Sequence, residues 1–278
     1  MATIPAATKR RLASAVPKFK KVLQRAAERD VNESDTVTIV TDILEEVFGF
    51  DKYSDITREY AIQGTYCDLA IKTGKKVDYL IEVKAVGISL KDTHLRQAIN
   101  YAAQEGIRWI VLTNGLIWEV HRVSVENRVD SSKLIEFVFT DINPRKNDDQ
   151  ELLFLLCKRG LKKDLIDDFY EYRQSVNRYT TAAILLSDPV VSVVRRELRR
   201  IKTGLKVSNE QVEDLLLNEV LKRDVVESDP AIEAKKAVQK ALKKKLRAKT
   251  SHKRSKDEAK VADDTGNLRQ SGSSRAHA

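Results

Sequence analysis

The run from Val77 to Val86, V-D-Y-L-I-E-V-K-A-V, constrains the fold more than any other segment of the chain. Strand alternation puts Val77, Tyr79, Ile81 and Val83 on one face and Asp78, Leu80, Glu82 and Lys84 on the other. Ile81, Val83, Ala85 and Val86 give the run the apolar weight of a buried strand. Charges buried in such a strand are costly unless they are paired or hold a cation. Glu82 and Lys84 therefore need partners, and the rest of the chain must supply them.

The flanking segments read as an α/β architecture. A helix over about Thr8–Glu28 is expected to be interrupted at Pro17. Asn32 is an N-cap followed by Glu33 and Asp35 in the first turn, and that helix runs through Val47 to a stop at Gly49. Strand-like runs follow near Asp55–Ile62, Tyr66–Lys72 and Val77–Val86, then a helix over about Ser89–Glu105 that ends at Gly106. Arg108–Thr113 and Leu116–Val123 flank Asn114-Gly115, a two-residue hairpin signal, and Lys133–Thr140 reads as another strand. This order predicts a mixed central sheet with helices on both faces.

From Asp148 the pattern turns helical, at about Asp149–Lys158, Lys162–Arg178 and Val190–Lys202, with a capping box at Ser208-Asn209-Glu210-Gln211. A basic helix is expected at Ala231–Arg247, and Thr250–Ala278 is polar enough to be disordered. The divisions are an N-terminal helical segment at 1–31, an α/β domain at 32–147, a helical region at 148–228 and a basic tail at 229–278.

The formal net charge of +9 belongs almost wholly to that tail. Residues 229–278 hold 14 Lys/Arg against 6 Asp/Glu, which leaves 36 against 35 in the rest. A lysine-rich tail attracts nucleic acid through salt-sensitive phosphate contacts, or is simply solvated. No stretch approaches the ~18–20 apolar residues of a membrane span, and Met1–Lys21 lacks a signal-peptide core, so a cytoplasmic protein is expected. Cys67 and Cys157 are too few for a metal cluster or a disulfide framework and read as buried thiols. His94, His121, His252 and His277 lie near no nucleophile motif.

Register brings the chemistry-bearing residues together. A three-residue loop, Gly74-Lys75-Lys76, pairs Leu69 with Ile81 and Asp68 with Glu82, and Lys84 falls on the same face one step along. Two carboxylates that close repel unless a cation or a proton lies between them. A divalent metal beside a phosphate is the functional answer, and a surface ladder neutralised by Lys84 is the structural one. Glu33 lies on the inward stripe of Val37, Val40, Leu44 and Val47, so it is the helix-borne acid best placed to join. Gln97 and Tyr101 are i, i+4 neighbours beside the stripe of Leu95, Ala98, Ile99 and Ala102, with His94 one turn earlier.

This ordered set resembles the PD-(D/E)XK nuclease superfamily, and within it the N-terminal nuclease domain of the restriction subunit of type I restriction enzymes. The resemblance covers about Asn32–Val123. It rests on Asn32-Glu33-Ser34-Asp35-Thr36, Val47-Phe48-Gly49-Phe50-Asp51, Asp68, Ile81-Glu82-Val83-Lys84, Gln97 with Tyr101, and Thr113-Asn114-Gly115. It implies a restriction-endonuclease-like αβββαβ core and a Mg²⁺-dependent endonuclease acting on DNA, with Mn²⁺ as a substitute cation. Asp68 and Glu82 then look like the metal ligands, Lys84 like the catalytic lysine, Gln97 and Tyr101 like the Q-x-x-x-Y motif, and Glu33 like the acid of the first helix, which joins the two carboxylates at the metal. Cys67 stands where a proline precedes the acid in the superfamily's name. No G-x-x-x-x-G-K-[ST] phosphate loop occurs, so the chain is not a whole ATP-driven restriction subunit. A noncatalytic nucleic-acid-binding module, or an interaction subunit of a defence system working through 148–228 as a homodimer or with a protein partner, is the alternative.

Overall fold

Local signals set the helices that flank the sheet. The computed structural model describes residues 3–62, 65–74, 76–125, 129–201 and 204–245. Helix α1 spans Ala6–Glu28 and α2 spans Glu33–Glu46. The Asn32 side chain accepts the Asp35 N–H at 2.9 Å, the expected N-cap, and Gly49 at φ +79° ends the segment. Pro17 does not interrupt α1. It lies on the exposed side of the helix, as does Ala13 one turn before it, so the carbonyl freed by the missing N–H can be hydrated.

Six strands form one sheet in chain order: β1 Ile56–Ile62, β2 Thr65–Thr73, β3 Lys76–Val83, β4 Trp109–Thr113, β5 Ile117–Val125 and β6 Val129–Val138. Every neighbouring pair is antiparallel except β3 and β4, which are parallel. Parallel neighbours need a crossover, and α3 at Arg96–Gln104 makes it. The α2–β1–β2–β3–α3–β4 order is the αβββαβ core expected from the sequence. Helix α3 is shorter than expected, because Ser89–Lys91 is not helical and a 3₁₀ turn at Asp92–Leu95 precedes it.

Two apolar layers sandwich the sheet. On one face Leu12, Val16 and Leu23 of α1 and Val40, Ile43 and Leu44 of α2 cover Leu69, Ile71, Ile81, Val83, Val111 and Val120. Trp118 lies in this layer, with the rings of Phe48, Phe137 and Phe139 within 6.5 Å. On the other face Leu95, Ala98, Tyr101 and Ala102 cover Ala70, Leu80, Ile110 and Leu112. Cys67 joins this second layer rather than the one that holds Leu69 and Ile71. Pairing of β2 with β3 stops at Leu69↔Ile81, whereas its pairing with β1 continues through Tyr60↔Cys67.

The chain divides into two compact units, Met1–Glu171 and Tyr172–Ala278. The first also holds α4 at Asn147–Leu156, whose Leu153, Phe154 and Leu156 enter the α1–α2 layer, and α5 at Lys158–Leu161. Helix α6, Leu165–Ser175, crosses the division. The second unit is helical, with α7 at Arg178–Leu185, α8 at Asp188–Ile201, α9 at Asn209–Leu215, α10 at Arg223–Glu227 and α11 at 229–245. Asn177 caps α7, ending the single helix expected over Lys162–Arg178, and Ser208 and Gln211 form the expected capping box of α9. Among the described residues no helix is long and apolar enough to cross a membrane. The stretch expected to be disordered, Thr250–Ala278, lies outside the described residues.

Candidate functional site

The end of β3 gathers the charged residues. The turn before it is tighter than expected, since Thr73 pairs with Lys76, and a bulge between Ile71 and Lys72 then restores the Ile71↔Tyr79, Ala70↔Leu80 and Leu69↔Ile81 register. Asp68 is the first residue past this ladder. Alternate amides of β3 face β4, as Lys84 N–H shows by donating to Thr113 O at 2.8 Å, so Val83 N–H faces β2. There the Asp68 carboxylate takes the place of a backbone partner, its Oδ2 accepting Val83 N–H at 2.7 Å. The two strands part at this point, and the acid fills the notch.

Lys84 Nζ donates to Glu82 Oε1 at 2.8 Å and to Glu33 Oε2 at 3.3 Å. Glu33 opens α2, and the Asn32 cap fixes the turn that aims it at Lys84. The side chains of Lys84 and Glu82 are only 18% and 16% exposed, whereas Glu33 is 48% exposed. Sequence and structure agree on Asp68, Glu82, Lys84 and Glu33 as one neighbourhood.

Burial dominates its electrostatics. It pushes the Asp68 carboxyl above its ordinary value, against the Val83 N–H and Lys84, which favour the charged form. Burial does the same to Glu82, and Asp68 adds repulsion that Lys84 only partly offsets. Burial pulls Lys84 down, but Glu82, Glu33 and Asp68 together outweigh it and hold the ammonium above its ordinary range. Cys67, buried beneath these acids, is pushed up to about 12 by burial and is inert as a thiolate.

Tyr101 is buried in the α3 layer, Gln97 is exposed, and among the described residues no hydrogen bond joins either of them to Asp68, Glu82 or Lys84. His94 serves a local turn, its Nδ1 accepting Lys91 N–H at 3.3 Å. The structure adds Glu59 to this neighbourhood and gives Asn114 a second role. Glu59 on β1 adds like charge near Asp68, from a backbone held at φ +46°. Only the strand order could reveal it. Asn114, a turn residue by sequence, also bonds to the loop that follows Lys84.

Among the described residues no three His, Cys, Asp or Glu side chains gather closely enough to hold a metal by themselves. The donor set fits a hard cation of low protein-ligand demand. Mg²⁺ is commonly held by one or two carboxylates, with water and substrate phosphates completing the shell. Asp68 and Glu82 are two half-buried carboxylates whose mutual repulsion such an ion relieves.

Residues 39–138 match the family described as type I restriction enzyme R protein N terminus, and that stretch of the chain resembles it. The matched stretch runs from α2 through β6 and holds Asp68, Glu82, Lys84, Gln97 and Tyr101, while Glu33 precedes it. No curated protein and no solved structure matches the chain.

Proposed function

We propose that this protein is a Mg²⁺-dependent nuclease-type component of a restriction system, hydrolysing phosphodiester bonds in DNA. The observation that carries the reading is the burial of two carboxylates, Asp68 and Glu82, beside Lys84, where both acids are held above their ordinary pKa. The likeness to type I R proteins supports it. Asp68 and Glu82 would hold the cation, with Mn²⁺ as a substitute. When bound, the ion supplies Lewis-acid polarisation of a phosphate and a more acidic bound water.

The chain's own residues set the rest of the mechanism. Lys84 has two carboxylate partners, so Glu82 can serve a cation while Glu33 still holds the ammonium. That gives Glu33, expected from the sequence to join Asp68 and Glu82 at the metal, the role of orienting the lysine instead. A protonated Lys84 can orient the attacking water and stabilise charge on the phosphate oxygens. Of the two α3 residues Gln97, being exposed, is the one that can touch DNA directly. The 14 basic residues of 229–278 would add affinity that falls with salt.

The test is cleavage of plasmid DNA with and without Mg²⁺, comparing wild type with Glu82→Ala and Lys84→Ala at matched folded fraction. Loss of metal-dependent cleavage in both variants is expected. Full activity in either one removes that residue from the site, and DNA binding without any cleavage by wild type favours a noncatalytic binding module.

A further inference from the structure

The Thr113-Asn114-Gly115 hairpin carries more bonding than a turn requires. Asn114 is 4% exposed, and its side chain makes four hydrogen bonds. Oδ1 accepts from Leu116 N–H at 3.1 Å and Ile117 N–H at 2.8 Å, which closes the hairpin. Nδ2 donates to Val86 O at 3.2 Å and Ile88 O at 2.9 Å, carbonyls 28 and 26 residues away in sequence. One amide orientation satisfies all four partners, two donors facing the oxygen and two acceptors facing the nitrogen.

The loop so held is the one that follows Lys84. Ile88 N–H closes it on Ala85 O at 2.9 Å, and Lys84 N–H is fixed to Thr113 O at 2.8 Å, one residue before Asn114. The other side of the loop is also tight. Gly87 packs against the Asp30 carboxylate there, and a Cβ at this position would collide with Oδ1. The lysine's backbone is thus held from its own amide by Thr113 and from the turn beyond it by Asn114.

We propose that Asn114 is a positioning residue for Lys84, clamping the loop after β3 so that the ammonium stays between Glu82 and Glu33. The proposal deepens the nuclease reading and rests on it for its catalytic consequence, though not for the clamp itself. Asn114→Asp is the selective perturbation. It is isosteric and keeps an oxygen for the hairpin amides, but turns a carboxylate oxygen toward the Val86 and Ile88 carbonyls. Trp118→Phe is the comparison for general weakening of the hairpin and the core beside it, since Trp118 Nε1 donates to Gly115 O at 2.9 Å and its ring packs with Phe48, Phe137 and Phe139.

Amide hydrogen exchange and single-turnover cleavage, both on the full chain and well below the unfolding midpoint, test it. In Asn114→Asp the Lys84 and Ile88 amides should exchange at least about tenfold faster than in Trp118→Phe. Cleavage at saturating Mg²⁺ and DNA should fall on the order of 10²-fold, the scale set by ~1 Å of misplacement, with DNA affinity in EDTA unchanged within about twofold. Equal Lys84 protection in the two variants overturns the clamp. Faster exchange with an unaltered cleavage rate overturns the positioning role. If wild type does not cleave, the nuclease reading falls, and the exchange data still decide whether Asn114 holds Lys84.

Discussion

Asp68→Asn should stabilise the metal-free protein, which separates a functional carboxylate from a structural one. Among the described residues Asp68 has no ion pair within bonding distance, and its one hydrogen-bond partner there is Val83 N–H at 2.7 Å. Attraction to Lys84 is opposed by repulsion from Glu33 and Glu59, so the charge interactions partly offset one another. The burial penalty remains. It is several kcal/mol for full burial and about 2 kcal/mol for a partly buried acid such as Asp68. A neutral amide oxygen is a weaker acceptor for Val83 N–H, which returns about 1 kcal/mol. The net gain is about 1 kcal/mol, or ~2–4 °C for a unit the size of Met1–Glu171. The sign has a pH signature. The Asp68 pKa is raised in the folded state, so the stability of the protonated form is fully present below its ordinary value of 3.8 and is lost as pH rises through the folded pKa. The advantage of Asp68→Asn should therefore be absent in acid and complete at neutral pH. Mg²⁺ should reverse the order, because ion at 100-fold its Kd adds about 2.7 kcal/mol to wild type only. Urea unfolding followed by circular dichroism, in EDTA and in Mg²⁺ at two pH values, measures all of this. If Asp68→Asn is less stable than wild type in EDTA at neutral pH, Asp68 is a structural acceptor and the burial argument fails.

Two further outcomes test other parts of the same unit. His121 is 3% exposed, and burial holds it below its ordinary value of 6.5 despite the Glu119 carboxylate at 3.1 Å, with Lys133 and Asp92 also facing it. A depressed folded pKa means that stability is present above 6.5 and lost as pH falls through the folded value, so wild type should weaken between pH 7 and 5 relative to His121→Gln, and parallel urea midpoints would refute this. Pro17→Ala should raise the unfolding midpoint, by up to the ~3 kcal/mol that proline costs in a helix interior, because Pro17 makes the exposed side of α1 one hydrogen bond short. An unchanged midpoint would mean that the restricted unfolded chain offsets the missing bond.

What was legible in this sequence was what short-range rules decide. Asn32 caps α2 because its side chain meets an amide three residues on, and any sequence window shows that. The Asp68–Glu82 neighbourhood followed from alternation and one tight turn, and a bulge corrected a turn read one residue too long. Pro17 was misjudged because its cost depends on which side of α1 packs, a tertiary fact. Gln97 and Tyr101 were placed by spacing alone. Yet α3 begins only at Arg96, and its rotation against Leu80, Ile110 and Leu112 buries the tyrosine. Glu59 needed the strand order, and the Asn114 bonds to Val86 and Ile88 needed a fold that returns β4 beside β3. The division has a physical basis. The acids and the lysine must sit on one strand and its neighbour, so their spacing is written locally. The groups that aim them, Glu33 at 51 residues from Lys84 and Asn114 across the parallel pair, can lie anywhere the topology converges. A reading of such a chain therefore finds its charged residues before it finds what positions them, and the positioning residues are where variants should separate folding from chemistry.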